Sequence, residues 1–187
     1  MTEAEFVAAA LTNPVNATIL ARLPQLGVED AWLVSGALFQ AAWNVQTGRA
    51  PAYGIRDYDV FYFDADASWE AEDAVIKRAK SLFADVDAAI EIRNQARVHL
   101  WYEEKFGTPY PPLKRATDGI DRFLMHAAQV GIRPRGQGFD VYAPHGFDDI
   151  ARMIVRPNRV ENFQPERYRE KAERWKTVWP EITILPA

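Results

Sequence analysis

The segment Asp57–Asp64, DYDVFYFD, constrains this chain more than any other stretch. Aromatic and β-branched residues crowd it, and such residues favour a pleated, half-buried surface. It reads as a strand. Residues two apart on a strand share a face. Asp57 and Asp59 therefore project together, while Tyr58 and Val60 point to the opposite side.

Shorter signals surround this strand. Thr2 to Ala10 and Asn16 to Leu23 read as helices broken at Asn13-Pro14, with Asn16 as the second cap. Ala31 to Val34 is an apolar run after a turn and reads as a strand. Leu38, Ala41, Ala42 and Val45 recur at helical spacing, which predicts a helix from Ala37 to about Gln46. Trp69 to Phe83 carries acids early and bases late, complementing a helix dipole. Ala88 to Arg93 reads as a strand, Arg97 to Phe106 and Thr117 to Val130 as helices, and Arg133 to Gly138 as a loop. Asp140 to Ala143 is expected as a strand, Phe147 to Val155 and Pro165 to Val178 as helices, and Ile182 to Leu185 as a short terminal segment. This alternation indicates a mixed α/β domain.

The composition narrows the chemistry. The 187 residues suffice for one compact domain with a real core. There are no cysteines, which excludes disulfides, thiolate metal sites and cysteine nucleophiles and fits a cytoplasmic setting. The N-terminus has no basic segment ahead of its apolar residues and reads as a helix, not a signal peptide. No stretch approaches the ~18 continuous apolar residues of a membrane span. A net charge of -4 argues against a generic nucleic-acid coat. That charge is uneven, with 4 basic and 10 acidic residues from Arg56 to Glu91 against 8 basic and 4 acidic from Arg93 to Arg135. An acidic region beside a basic one suits a metal–polyphosphate complex, although two solvated faces would give the same counts.

The paired acids carry the chemistry. Asp57 and Asp59, about 7 Å apart along a strand, repel each other when empty, and a dication between them removes the repulsion. Magnesium is held by one or two carboxylates together with waters and phosphate oxygens. Glu91 lies between Ile90 and Ile92, so its face is opposite theirs, and a neighbouring strand there would add a third acid. Arg93 shares that face and is a candidate phosphate contact. Ser35-Gly36 opens into a helix, whose free N–H groups attract phosphate. Taken singly, each of these features is also an ordinary strand or turn. Their conjunction is more specific.

In SGALFQAAWN…GIRDYDVFYFD…IEIRNQARVHLW, the chain resembles the bacterial nucleotidyltransferase-like family of the DNA polymerase β superfamily, from about Val28 to Asn158. The resemblance implies an α+β fold: a small mixed or mainly antiparallel sheet with helices packed on it. It places the core at residues 28–158 of a single domain, with helical extensions at 1–27 and 159–187. By position, Asp57, Asp59 and Glu91 take the places of the three metal-binding, catalytic acids, and Gly36 that of the glycine in a Gly-Ser pair. The serine should follow the glycine, but Ala37 stands there and Ser35 precedes it. The implied cofactor is Mg²⁺ or Mn²⁺ and the implied substrate a nucleoside triphosphate. Ser35, Gly36, Arg93 and Lys114 are candidates to bind it.

Other residues have plainer readings. Gln40 and Asn44 suit structural hydrogen bonds better than base contacts, and Arg97 a solvated surface. His99, His126 and His145 are read as core or surface histidines. Two functions follow: a nucleotidyltransferase acting on an unidentified small-molecule, RNA or protein hydroxyl, or a non-catalytic nucleotide- or partner-binding domain of the same fold. A two-carboxylate glycosidase fits less well, because its acids flank a cleft instead of sharing a strand.

Overall fold

A computed structural model describes residues 1–187. The first helix, α1 (Glu3–Leu11), opens on a capping box in which Thr2 and Glu5 satisfy each other's backbone N–H. The second, α2 (Pro14–Arg22), is capped by Asn13 and not by the expected Asn16. Proline is tolerated in a first turn, so the helix starts earlier than the sequence suggests. Asn16 is buried instead, and its Nδ2 donates to the carbonyls of Ala10 and Ala37.

After a 3-10 turn at Leu23–Leu26 the chain enters the sheet. Strand β1 (Trp32–Val34) leads into α3 (Gly36–Gln46); β2 (Tyr58–Tyr62), α4 (Trp69–Leu82) and β3 (Ile90–Asn94) follow. β2 and β3 are parallel, and α4 is the crossover that a parallel pair requires. The next elements are α5 (Tyr102–Phe106), α6 (Ala116–Ile120), β4 (Gly131–Arg135) and β5 (Gly138–Tyr142). The sheet order is β3-β2-β1-β4-β5, with every pair except β2–β3 antiparallel. This is the mixed sheet expected of the fold class.

The two faces divide by strand alternation. Tyr58, Val60 and Tyr62 join Leu33, Ile92 and Ile132 in the main core, beneath Phe6 of α1, Leu38 of α3 and Val75 of α4. On the other face Trp32 and Val34 pack with Ala116 and Ile120, flanked by Phe61, Phe123 and Tyr142. Asp59 lies on this second face.

Some expected elements change. Thr117 to Val130 is not one helix. α6 stops at Ile120, a 3-10 turn spans His126–Ala128, and Gly131 already pairs with Val34. Side chains take the carbonyls that a longer helix would use: Asn158 Nδ2 donates to Asp121 and Phe123, and Gln129 Nε2 to Asp121. The loop expected at Arg133 to Gly138 is a β4–β5 hairpin with Arg135 opposite Gly138 and Gly136 at φ 57. The helix expected at Arg97 to Phe106 splits into a 3-10 segment, Gln95–Leu100, and α5.

The end of the chain packs inward. α7 (Asp148–Ala151) gives way to β6 (Ile154–Val155), which pairs in parallel with β7 (Thr183–Ile184). Between them runs α8 (Pro165–Val178). Trp175 and Trp179 are buried against Phe39 and Trp43, with ring centroids 5.0 and 5.6 Å apart for the Phe39–Trp175 and Trp43–Trp179 pairs. Trp179 Nε1 donates to Asn44 Oδ1, and Asn44 Nδ2 to the carbonyls of Pro51 and Tyr53, so Asn44 is structural. No single helix is long and apolar enough to cross a membrane.

Candidate active site

Register brings the acids together. In the parallel β2–β3 pair Asp59 stands beside Glu91, and Phe61 beside Arg93. Asp59 and Glu91 therefore share a face. Asp57 lies just before β2, exposed, two residues from Asp59. Glu91 is paired with Arg93, Oε2 to a guanidinium nitrogen at 3.3 Å.

Asp59 is half-buried at this crowded point. Burial, then the charges of Asp57 and Glu91, push its carboxyl from the usual carboxylate range up to about 7, against the pull of Lys171 and Arg93. Lys171, on α8, is the counterpart. Burial drives its amine below the usual lysine range, and Arg174 and Arg167 add repulsion, while Asp59 and Asp57 draw it back.

Asp57, Arg93 and Lys171 meet at a cleft of about 650 Å³; Asp59 lies behind its lining, and Glu91 borders a separate hollow next to α4. Asp57 and Arg93 line the cleft from the sheet side, and Arg167, Glu170, Lys171 and Arg174 line it from α8. Tyr102 and Tyr110, whose rings lie 4.4 Å apart, contribute an aromatic part of the wall. The α8 cations are the residues that sequence reasoning missed. Their i, i+4, i+7 spacing marks a shared helix face, but nothing in it shows that this face meets the acids.

The Ser35-Gly36 turn follows Val34, which pairs with Asp59 across β1 and β2, and has an unusual backbone. Ser35 is buried with φ 56 and ψ -121, a conformation that costs a non-glycine residue about 1–3 kcal/mol. Its N–H donates to the Val130 carbonyl, and its own carbonyl accepts from Leu38 and Phe39. Its hydroxyl does not cap α3. The first N–H groups of α3 have no carbonyl partner within the helix.

Two basic candidates lie elsewhere. Lys114 is exposed, outside the cleft lining, with its backbone N–H bonded to Asp118. Arg97 pairs with Glu72 at 2.8 Å and also donates to the Ala67 carbonyl, so it ties α4 to the loop before it. His126 and His145, distant in sequence, stack with ring centroids 3.7 Å apart, away from the cleft.

The sequence matches the family model described as Nucleotidyltransferase over residues 21–184. The chain belongs to the nucleotidyltransferase family. The match runs through α8, so the cationic wall lies within the family region. A solved structure described as an NMR structure that reveals a CCA-adding enzyme head domain superposes with a TM-score of 0.80. It shares 24% identity, over 100% of this chain and 97% of that one, and speaks for the fold. No functionally curated protein matches the chain.

The donor chemistry of this nucleotidyltransferase suits a hard dication: carboxylates only, with no thiolate or imidazole among them. The structural sign of fit is that Asp59 and Glu91 share a face with Asp57 two residues away, where burial first and the neighbouring acids second raise the Asp59 carboxyl. The three acids do not close into a ready three-ligand group. A pair completed by phosphate oxygens is the arrangement that magnesium commonly takes.

Proposed function

We propose that this nucleotidyltransferase moves a nucleoside monophosphate from a nucleoside triphosphate to an acceptor hydroxyl and releases pyrophosphate, with Asp57 and Asp59 holding Mg²⁺ or Mn²⁺. The observation that carries this reading is the register that sets Asp59 beside Glu91, with Asp57 two residues away on the lining of a cleft rich in cations. When bound, the dication supplies charge neutralisation at the phosphoryl oxygens.

The chain's own residues do the rest. The start of α3 at Gly36 and Ala37 offers backbone N–H groups to phosphate oxygens. Arg93 holds Glu91 beside Asp59. The acceptor oxygen bonds to the α-phosphorus, the bond from that phosphorus to the bridging oxygen breaks, and pyrophosphate leaves. Glu91 takes the proton of the hydroxyl. Positioning and charge account for most of the acceleration.

Asp59→Asn is expected to reduce metal-dependent pyrophosphate release from nucleoside triphosphates at least ~100-fold without loss of the folded state. Release would be measured across small-molecule, RNA and protein acceptors, with circular dichroism as the fold control. Unchanged release in the variant rejects the assignment. Triphosphate binding by the wild type without release would make the chain a binding domain.

A further inference from the structure

The cations of α8 are arranged in a way that the fold alone does not explain. Tyr168, Ala172 and Trp175 bury one face of the helix. Arg167, Lys171 and Arg174 line the cleft from the adjoining flank. Arg169, on the outside, pairs with Glu166 at 3.4 Å, whereas none of the three cleft cations forms an ion pair. Glu170 lines the same cleft but pairs with none of them, so the flank keeps a net positive charge whose members repel one another. Lys171 is half-buried, which adds a desolvation cost.

Their spacing suggests what they hold. Seven residues of helix span about 10 Å, room for several consecutive phosphoryl groups. Arg174 marks the end nearest Asp57, with which it shares a second, smaller hollow, and Lys171 is the α8 cation whose charge acts on Asp59. Arg167 marks the other end, where its guanidinium lies 3.8 Å from the Phe106 ring centroid and donates to the Tyr102 hydroxyl at 3.4 Å. Those contacts fix the guanidinium without neutralising it. Arg93 and Arg122 line the same cleft, but each is paired with a carboxylate, Glu91 and Glu161 respectively.

We propose that the Arg167–Lys171–Arg174 flank of α8 is a polyphosphate-binding wall that holds the phosphate tail of the donor across from Asp57 and Asp59. This rests on the nucleotidyl-transfer reading and deepens it. The α-phosphate stands at the Arg174 end beside Asp57, and the leaving pyrophosphate runs towards Arg167.

The test uses the full chain and inorganic triphosphate in metal-free buffer, by titration calorimetry. The wild type binds. Arg174→Gln and Arg167→Gln each weaken binding about tenfold, and the double variant about 100-fold. Arg169→Gln leaves it unchanged. Absence of binding in the wild type, or equal binding by the double variant, overturns the wall. Asp59→Asn separates the two proposals, since it stops pyrophosphate release yet binds metal-free triphosphate at least as tightly as the wild type. Loss of triphosphate affinity in the α8 variants supports the wall even if the wild type releases no pyrophosphate with any acceptor.

Discussion

Asp59 has no choice of face. Tyr58 and Val60 are buried on one side of β2, so the residue between them must lie on the other, next to Glu91. Its carboxyl, raised from 3.8 to about 7, links folding to pH. Below about pH 4 the folded and unfolded states both carry the proton. Between about 4 and 7 the folded state keeps a proton that the unfolded chain has released, so this group's contribution to stability declines and is lost above about 7. Asp59→Asn should therefore stabilise the metal-free protein at pH 8, by roughly 2–4 kcal/mol, and flatten that decline. Urea titrations of both proteins at pH 5 and pH 8 check this, and equal shifts at the two pH values would contradict it. Magnesium should raise the melting temperature of the wild type at pH 8 more than at pH 5, because binding requires the ionised carboxylate.

The loop before β2 and the end of α8 are fitted to each other at one glycine. Gly54 has φ 71, and a Cβ there would lie 2.4 Å from Val178 Cγ1 and 2.8 Å from Trp179 Cη2. Gly54→Ala combines backbone strain with overpacking and should destabilise the protein by about 1–3 kcal/mol. A denaturation midpoint equal to that of the wild type would refute it. The same contact ties the acid-bearing strand to the helix that carries the cations, so the variant should also weaken triphosphate binding. The helix expected at Thr117 to Val130 shows the opposite case. Its helical pattern is present, but sheet pairing at Gly131 and side-chain capture of the Asp121 and Phe123 carbonyls outweigh it.

Across the whole molecule, the segments expected as extensions supply core. Phe6 belongs to the main buried cluster, as do Tyr168, Trp175, Trp179 and Ile182. We propose that the chain folds as one cooperative unit. Losing one buried tryptophan costs about 3–5 kcal/mol, against a total stability of about 5–15 kcal/mol. A chain ending at Asn158 should therefore show no cooperative thermal transition. A sharp, reversible melt of that truncated protein would prove residues 28–158 to be an independent core.

The sequence by itself determined the alternation of β2, the pairing of Asp57 with Asp59, the side on which Glu91 projects, and the helices α1, α3, α4 and α8. All of these follow from periods of two or about 3.6 residues and from local caps, which act over short spans of chain. The tertiary structure decided that β2 and β3 are parallel with Asp59 beside Glu91, that Lys114 stands apart, and that α8 faces the acids. Those outcomes depend on where Trp175 and Trp179 bury their rings, more than a hundred residues beyond the sequence partners they meet at Phe39 and Trp43. Such long-range packing leaves no local period in the sequence to read.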